Sequence, residues 1–151
     1  MIRLTNLADY AVVVMTAAAR SVDPRLSASA VAAMTGIPVP TVAKLMGTLK
    51  RAGLLASTRG VAGGFRLARP VDAISVADIV EAVDGPIALT NCQHGQVSAC
   101  ALEGSCTVRP HWAPINIAVR AALAAVTLAD LARPPVRATP LPIVHAPEVM
   151  A

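Results

Sequence analysis

Between Ser27 and Ala68 the sequence is punctuated so closely that it admits few folds. Ser27 or Ser29 can cap a short helix reaching Met34, and Gly36 falls at its end, where the left-handed backbone suits glycine. Pro38 and Pro40 follow. Pro40 suits the first turn of the next helix, where a missing N–H loses no intrahelical partner. That helix is expected from Thr41 to about Ala52, stopped at Gly53, with Val42, Leu45, Met46 and Leu49 spaced along one buried face. Two short strands come next, over residues 54–58 and 65–68. Between them Arg59, Gly60, Val61, Ala62, Gly63 and Gly64 form a hairpin tip, its glycines placed where positive φ is needed.

The elements around this stretch are helical. Thr5 is a candidate N-cap for a helix over residues 6–20, broken by Asp23 and Pro24. Ser75 and Asp78 form a capping box for a helix over residues 75–83, ended by Asp84, Gly85 and Pro86. Residues 87–109 are polar and aperiodic, hence a loop, and a longer helix follows from about residue 110 or 112 to residue 125. Thr127 and Asp130 make a second capping box for a final short helix over residues 128–132. Five prolines in the nineteen residues from Arg133 onward argue for a disordered tail over 133–151. Only Tyr10, Phe65 and Trp112 are aromatic although 55% of residues are apolar, so the core must be built from small aliphatic side chains on closely packed helices. The fold class is therefore mainly α with a small β-hairpin wing: a winged helix-turn-helix over residues 1–86, then the loop, the long helix and the tail.

In that arrangement the short helix braces the next one across the Gly36 turn, so that residues 41–50 can enter a major groove of double-stranded DNA. The exposed N-terminal face would carry Pro40, Thr41, Ala43 and Lys44, with Thr41 and Lys44 reading base edges and Pro40 or Ala43 touching thymine methyls. Arg59 at the wing tip would reach the minor groove, since Gly60 and Gly63 permit close backbone approach, and Lys50 completes the candidate interface. Charge supports this. Residues 1–70 hold nine Lys/Arg against Asp9 and Asp23, a local charge of +7, whereas residues 71–151 hold four Arg against seven carboxylates, or −3. A solvated basic face and an ordinary surface hairpin are the plainer alternatives, and the element order weighs against both. No nucleophile–base pair or paired carboxylates stand out, and the run 59–64 lacks the lysine of a phosphate-binding loop, so neither an enzyme nor a small-molecule substrate is expected. The apolar run 11–19, closed by Arg20, is short of the about 20 residues that a membrane span needs. With no secretory signal and an odd number of cysteines, a cytoplasmic protein with reduced thiols is expected.

Cys92, Cys100 and Cys106 fall in one loop, with seven and five residues between them. They flank polar residues, not the apolar positions that buried cysteines occupy. Three thiolates gathered by one loop suit a soft metal or an iron–sulfur cluster; redox-active thiols are the alternative, and the closely spaced C-x-x-C pair typical of zinc is absent. Four ligands are normally needed. His94 and Glu103 lie within the loop and His111 just beyond it.

The segments 4–11, 59–65, 74–79 with 82–84, the three cysteines and residues 127–131 together resemble the iron–sulfur and nitric-oxide sensing regulators that include IscR, NsrR and RirA, the Rrf-two family. The resemblance covers roughly residues 1–132, and residues 37–45 and 84–89 look most like regulators of the SUF iron–sulfur assembly operon. It implies a homodimer joined through residues 112–126, with Ile115, Val119, Ala122, Leu123 and Val126 as an apolar seam, and a palindromic operator read by two recognition helices. It also implies a cluster, [2Fe–2S] or [4Fe–4S], held by Cys92, Cys100 and Cys106, whose occupancy modulates operator binding. The IscR pattern places a histidine three residues after the last cysteine, where this chain has Arg109. The NsrR pattern uses an aspartate in the first helix of the other subunit, which maps onto Asp9, with His111 the other candidate. A nitric-oxide or iron-responsive regulator on the same fold, or a constitutive DNA-binding protein with a zinc or thiol site, are the alternatives.

Overall fold

The computed structural model describes residues 3–23, 25–58, 60, 63–90, 100 and 104–134. Its elements run α1 (Asn6–Arg20), α2 (Ala28–Thr35), α3 (Val39–Arg51), β1 (Leu55–Thr58), β2 (Gly64–Leu67), a 3-10 turn (Val71–Ala73), α4 (Val76–Asp84), α5 (Arg109–Ala124) and α6 (Leu128–Ala132). The expected disordered tail lies, from residue 135 on, outside the described residues.

Local chemistry sets most helix ends. The Thr5 hydroxyl accepts from the Ala8 N–H at 3.1 Å and the Ser27 hydroxyl from the Ala30 N–H at 3.1 Å, each satisfying a donor that the first helical turn leaves unpaired. Gly36 closes α2 at φ 75°, its N–H donating to the Ala32 carbonyl. Both capping boxes form, at Ser75/Asp78 and Thr127/Asp130. The two helix starts are joined, for the Val76 N–H donates to the Val126 carbonyl at 2.9 Å and the Leu128 N–H to the Ile74 carbonyl at 2.7 Å. α3 begins at Val39, two residues before the expected start, with Pro38 as an N-cap that offers no side-chain bond.

The main core lies among α1, α2, α3, the wing and α4. Val14, Met15, Val31, Val42, Met46, Leu49, Leu54, Ile74, Ile79 and Leu128 are the largest of its fully buried side chains. Each such aliphatic side chain stabilises the fold by about 1.5–3 kcal/mol relative to exposure. A smaller cluster of Ala8, Val76 and Val80 joins α1 to α4, and Leu123 of α5 packs against it.

β1 and β2 pair antiparallel, Leu55 opposite Leu67 and Thr58 opposite Gly64. The wing has a third arm that the sequence reading lacks. Leu26, in the α1–α2 connection, exchanges both backbone bonds with Phe65, at 2.8 and 2.9 Å. This corrects the role given to the wing glycines. Among those described only Gly60 has positive φ, 108°, whereas Gly64 leaves room for the Leu26 backbone, whose carbonyl oxygen would lie a tight 3.3 Å from a Cβ there.

Candidate nucleic-acid interface and cysteine loop

The break between α2 and α3 turns the chain by 117°, within the range of a helix-turn-helix. One face of α3 is committed to the core through Val42, Leu45, Met46 and Leu49. The opposite face therefore points outward: Pro40, Ala43, Lys44 and Lys50 are exposed, and Thr41 is half-buried with its N–H on the Pro38 carbonyl at 3.0 Å. Arg51 joins this surface. It lies seven residues after Lys44, two helical turns on along the same face, and its guanidinium donates to the Thr48 hydroxyl at 2.9 Å. Periodicity from Lys44 was the available clue to it.

The wing stands beside this helix. The Ala68 N–H donates to the Leu54 carbonyl at 3.0 Å at its base, and the Gly63 N–H donates to the Gly60 carbonyl at 2.8 Å near its tip. Gly60 is exposed and Gly63 half-buried; Arg59 lies outside the described residues.

The cations on the two sides of the molecule differ in their partners. Among the described residues no carboxylate pairs with Lys44, Lys50 or Arg51, which leaves their charge available to an anion. Arg120 on α5 instead grips Glu81 at 2.9 and 3.0 Å, and this bond and charge raise its already high pKa. Asp78 sits 3.4 Å from Arg69. Burial pushes the Asp78 carboxyl up, but the bonds from Ser75 and the charges of Arg69 and Arg120 outweigh it and hold the group below its ordinary value.

Of the cysteine loop, Cys100 is exposed and Cys106 half-buried. Cys92, His94 and Glu103 lie outside the described residues. Hydrogen bonds and packing hold the start of the loop, with Ile87 against the Ala8, Val76 and Val80 cluster. The Thr5 hydroxyl donates to the Asp84 carboxylate at 2.8 and 3.0 Å, and the Leu89 N–H donates to the Asn116 Oδ1 at 3.0 Å. Asp9 is exposed in the first turn of α1, and His111 and Arg109 are exposed in the first turn of α5. Among the described residues no three His, Cys, Asp or Glu side chains converge, so neither Asp9 nor His111 completes a set with Cys100 and Cys106 in this subunit. Thiols are the donors that a soft metal or iron–sulfur centre takes, and the described part of the loop offers two cysteines, Cys100 and Cys106.

The expected seam residues divide. Val119 and Leu123 of α5 are half-buried and share a hollow with Val80, while Ile115 and Ala122 of α5, and Val126 beyond its end, are exposed. Asn116, the buried polar residue of this helix, escaped the sequence reading, which had no local reason to single it out.

A basic recognition helix braced by a shorter one, with a glycine-tipped wing alongside, defines a winged-helix DNA-binding protein. Residues 4–134 match the family model of Rrf2, described as iron-dependent transcriptional regulators, and the chain belongs to that family. It is 32% identical over 132 residues to the HTH-type transcriptional regulator IscR of Photobacterium profundum, spanning 87% of this chain and 76% of that one. Among solved structures it resembles CymR, the global cysteine regulator of B. subtilis, with a TM-score of 0.67 at 28% identity, covering 87% of this chain and 97% of that one. T. potens IscR gives a TM-score of 0.64 at 24% identity over 86% of this chain and 85% of that one, a likeness of fold. The protein is a DNA-binding transcriptional regulator and not an enzyme. Among the described residues no single helix is long and apolar enough to cross a membrane.

Proposed function

We propose that this chain is a homodimeric, cluster-sensing regulator of iron–sulfur assembly genes of the SUF type, binding a palindromic operator. The observation that carries the reading is the fastening of the cysteine loop to the DNA-binding helices: Asp84, where the loop departs, is bonded to Thr5, the N-cap of α1. A change in the loop is thereby passed to α1, whose Ala11, Val14 and Met15 share one core with α3.

Cys92, Cys100 and Cys106 would hold the cluster as thiolates, with the partner's Asp9 as the fourth ligand. Among the described residues the Asp9 carboxylate has no hydrogen-bonding or ionic partner, which leaves it open to such a role. When bound, an iron–sulfur cluster, [2Fe–2S] or [4Fe–4S], supplies a cross-link that exists only while iron and sulfide are available. Dimerisation is supported by unpartnered apolar side chains: Ile117 of α5 is 69% exposed, and Leu7, Tyr10 and Val13 stand exposed on α1. In the dimer, loop and α1 of opposite subunits would set the spacing of the two α3 helices. Two spacings bind one operator with different affinity, which is how a ligand shifts the outcome. Lys44 and Thr41 would read base edges, and Lys50, Arg51 and Arg59 would neutralise phosphates.

The test is the visible spectrum of protein purified without oxygen, with iron and sulfide assayed on the same sample and operator affinity measured before and after cluster removal. Thiolate-to-iron charge-transfer bands, matched iron and sulfide, and an affinity that changes on removal are expected. Protein that stays colourless after anaerobic reconstitution would leave a DNA-binding protein whose cysteines serve zinc or thiol chemistry.

A further inference from the structure

The third arm of the wing brings a charge with it. Side chains alternate along a strand, so Arg66 shares the face of β2 that carries Gly64, while Phe65 turns to the other. Phe65 packs against the main core, which makes the Gly64 and Arg66 face the outward one. Gly64 has no side chain there, and the arm tied on by Leu26 and Phe65 takes the space. A Cβ on Gly64 would lie 3.4 Å from the Arg25 Cβ. Arg25 and Arg66 therefore leave the same outward face, and both are exposed.

Among the described residues this face holds no carboxylate. Across β1 the neighbours of Arg66 and Gly64 are Ala56 and Thr58. Asp23, the acidic residue of the same connection, is turned to the backbone, its Oδ1 accepting the Arg25 N–H at 2.8 Å. No carboxylate among the described residues is ion-paired with Arg66. Like charges on neighbouring strands repel, and an anion set between them removes the repulsion. A guanidinium suits a phosphodiester in that place, because its planar fork donates two bonds at once.

The fold puts this pair beside a duplex. α2 starts at Ala28, two residues beyond Leu26, and the first helix of a helix-turn-helix crosses the phosphate backbone. We propose that Arg25 and Arg66 form a phosphate clamp on the outward face of the wing, holding the DNA backbone where α2 crosses it. The inference rests on the reading of α3 as the groove-entering helix. It adds a contact made by the sheet of the wing and not by its tip.

The test compares full-length wild type, Arg25→Gln, Arg66→Gln and Arg66→Lys on a duplex that the wild type selects from a random-sequence library. Affinity is measured over a series of salt concentrations. Each glutamine variant should lower the slope of log affinity against log salt by about 0.9, the share of one phosphate contact on B-form DNA. Between about 50 and about 200 mM salt, the affinity lost should then be smaller by about three- to fourfold for each arginine removed. Preference for the selected duplex over a scrambled one should hold, since phosphate contacts carry no sequence, and Arg66→Lys should keep the wild-type slope. An unchanged slope in either glutamine variant would overturn the clamp and leave the α3 reading standing. That holds even for a variant of weaker affinity, because a residue acting only through the fold releases no counterion. A lost preference for the selected duplex would also overturn it, assigning the arginine to a base edge. A wild type that selects no duplex would overturn the α3 reading and this inference together.

Discussion

α3 and α5 are of similar length, thirteen and sixteen residues, yet α3 buries Val42, Leu45, Met46 and Leu49 where α5 buries only Asn116. Their charges differ in the same sense. Among the described residues Lys44 and Lys50 have no carboxylate partner, whereas Arg120 of α5 is held by Glu81. α3 is a finished element. Its inner face is locked into the core of its own subunit, so its outer face can be presented rigidly to a duplex. α5 is unfinished in a single subunit, with Ile115 and Ile117 facing outward and its best-buried group given over to the loop. The α3 side is complete alone, whereas under the proposed function α5 waits for a second subunit to close over it.

The largest test of that contrast is truncation of a core side chain on each helix. Leu49→Ala should lower stability by about 2–5 kcal/mol in chemical denaturation, because a fully buried leucine leaves a cavity. Ile117→Ala, at a position 69% exposed, should change the stability of the isolated subunit by no more than about 0.5 kcal/mol. Its effect should appear in sedimentation as a shift from dimer to monomer. Equal losses at the two positions would mean that α5 is as much part of the subunit core as α3 is.

A smaller effect separates readers from positioners on α3. Lys44→Ala should reduce discrimination between the operator and a variant site by about 1–3 kcal/mol, the range for a good base-edge contact. Lys50→Ala should weaken all duplexes alike and lower the salt dependence of binding by about one counterion, as loss of a phosphate contact does. Competition binding at several salt concentrations distinguishes them; a uniform loss in both would assign Lys44 to the backbone.

What could be read from the residues divides along a physical line. Caps and turns are local: Thr5, Ser27, Gly36, Ser75 with Asp78, and Thr127 with Asp130 act on donors and φ angles within a few residues, and the sequence shows them directly. The same holds for the buried face of α3, where one apolar period has one partner. Long-range pairings have no such signature. Leu26 with Phe65 is an exchange of backbone bonds, indifferent to side chain, and its one trace is Gly64, whose purpose is visible only once Leu26 lies against it. Asn116 with Leu89 is similar, since nothing about an asparagine in a helix names an acceptor's partner 27 residues away. In α5, Ile115, Ile117, Val119, Ala122 and Leu123 supply apolar positions on more than one face, and periodicity alone cannot choose which of them the subunit keeps. For the candidate site, the α3 residues could be placed from sequence, whereas Cys92 and Arg59 lie outside the described residues.

The smallest effect uses a device the two regions share. Ser75/Asp78 starts α4 beside the main core, and Thr127/Asp130 starts α6 on an exposed edge, with the same two reciprocal bonds. Ser75→Ala should cost about 1 kcal/mol, the usual loss of a hydroxyl N-cap, and Thr127→Ala should cost less. Acid should report the same asymmetry. Both carboxyls are held below their ordinary value of 3.8, Asp78 by Ser75 and two arginines against the opposing effect of burial, Asp130 mainly by bonds from Thr127. A group whose folded pKa is depressed contributes stability that is fully present above its unfolded pKa and is lost as pH falls through the folded one. The contribution should therefore be constant from neutrality to about pH 5, begin to fall as pH nears the unfolded value of 3.8, and vanish only once pH drops below the folded pKa. Asp78→Asn should remove part of that acid dependence in urea unfolding followed as a function of pH, and Asp130→Asn less of it. If the two substitutions flattened the acid limb equally, the burial and the arginines around Asp78 would contribute nothing that an exposed box lacks, and the contrast between the regions would be one of packing alone.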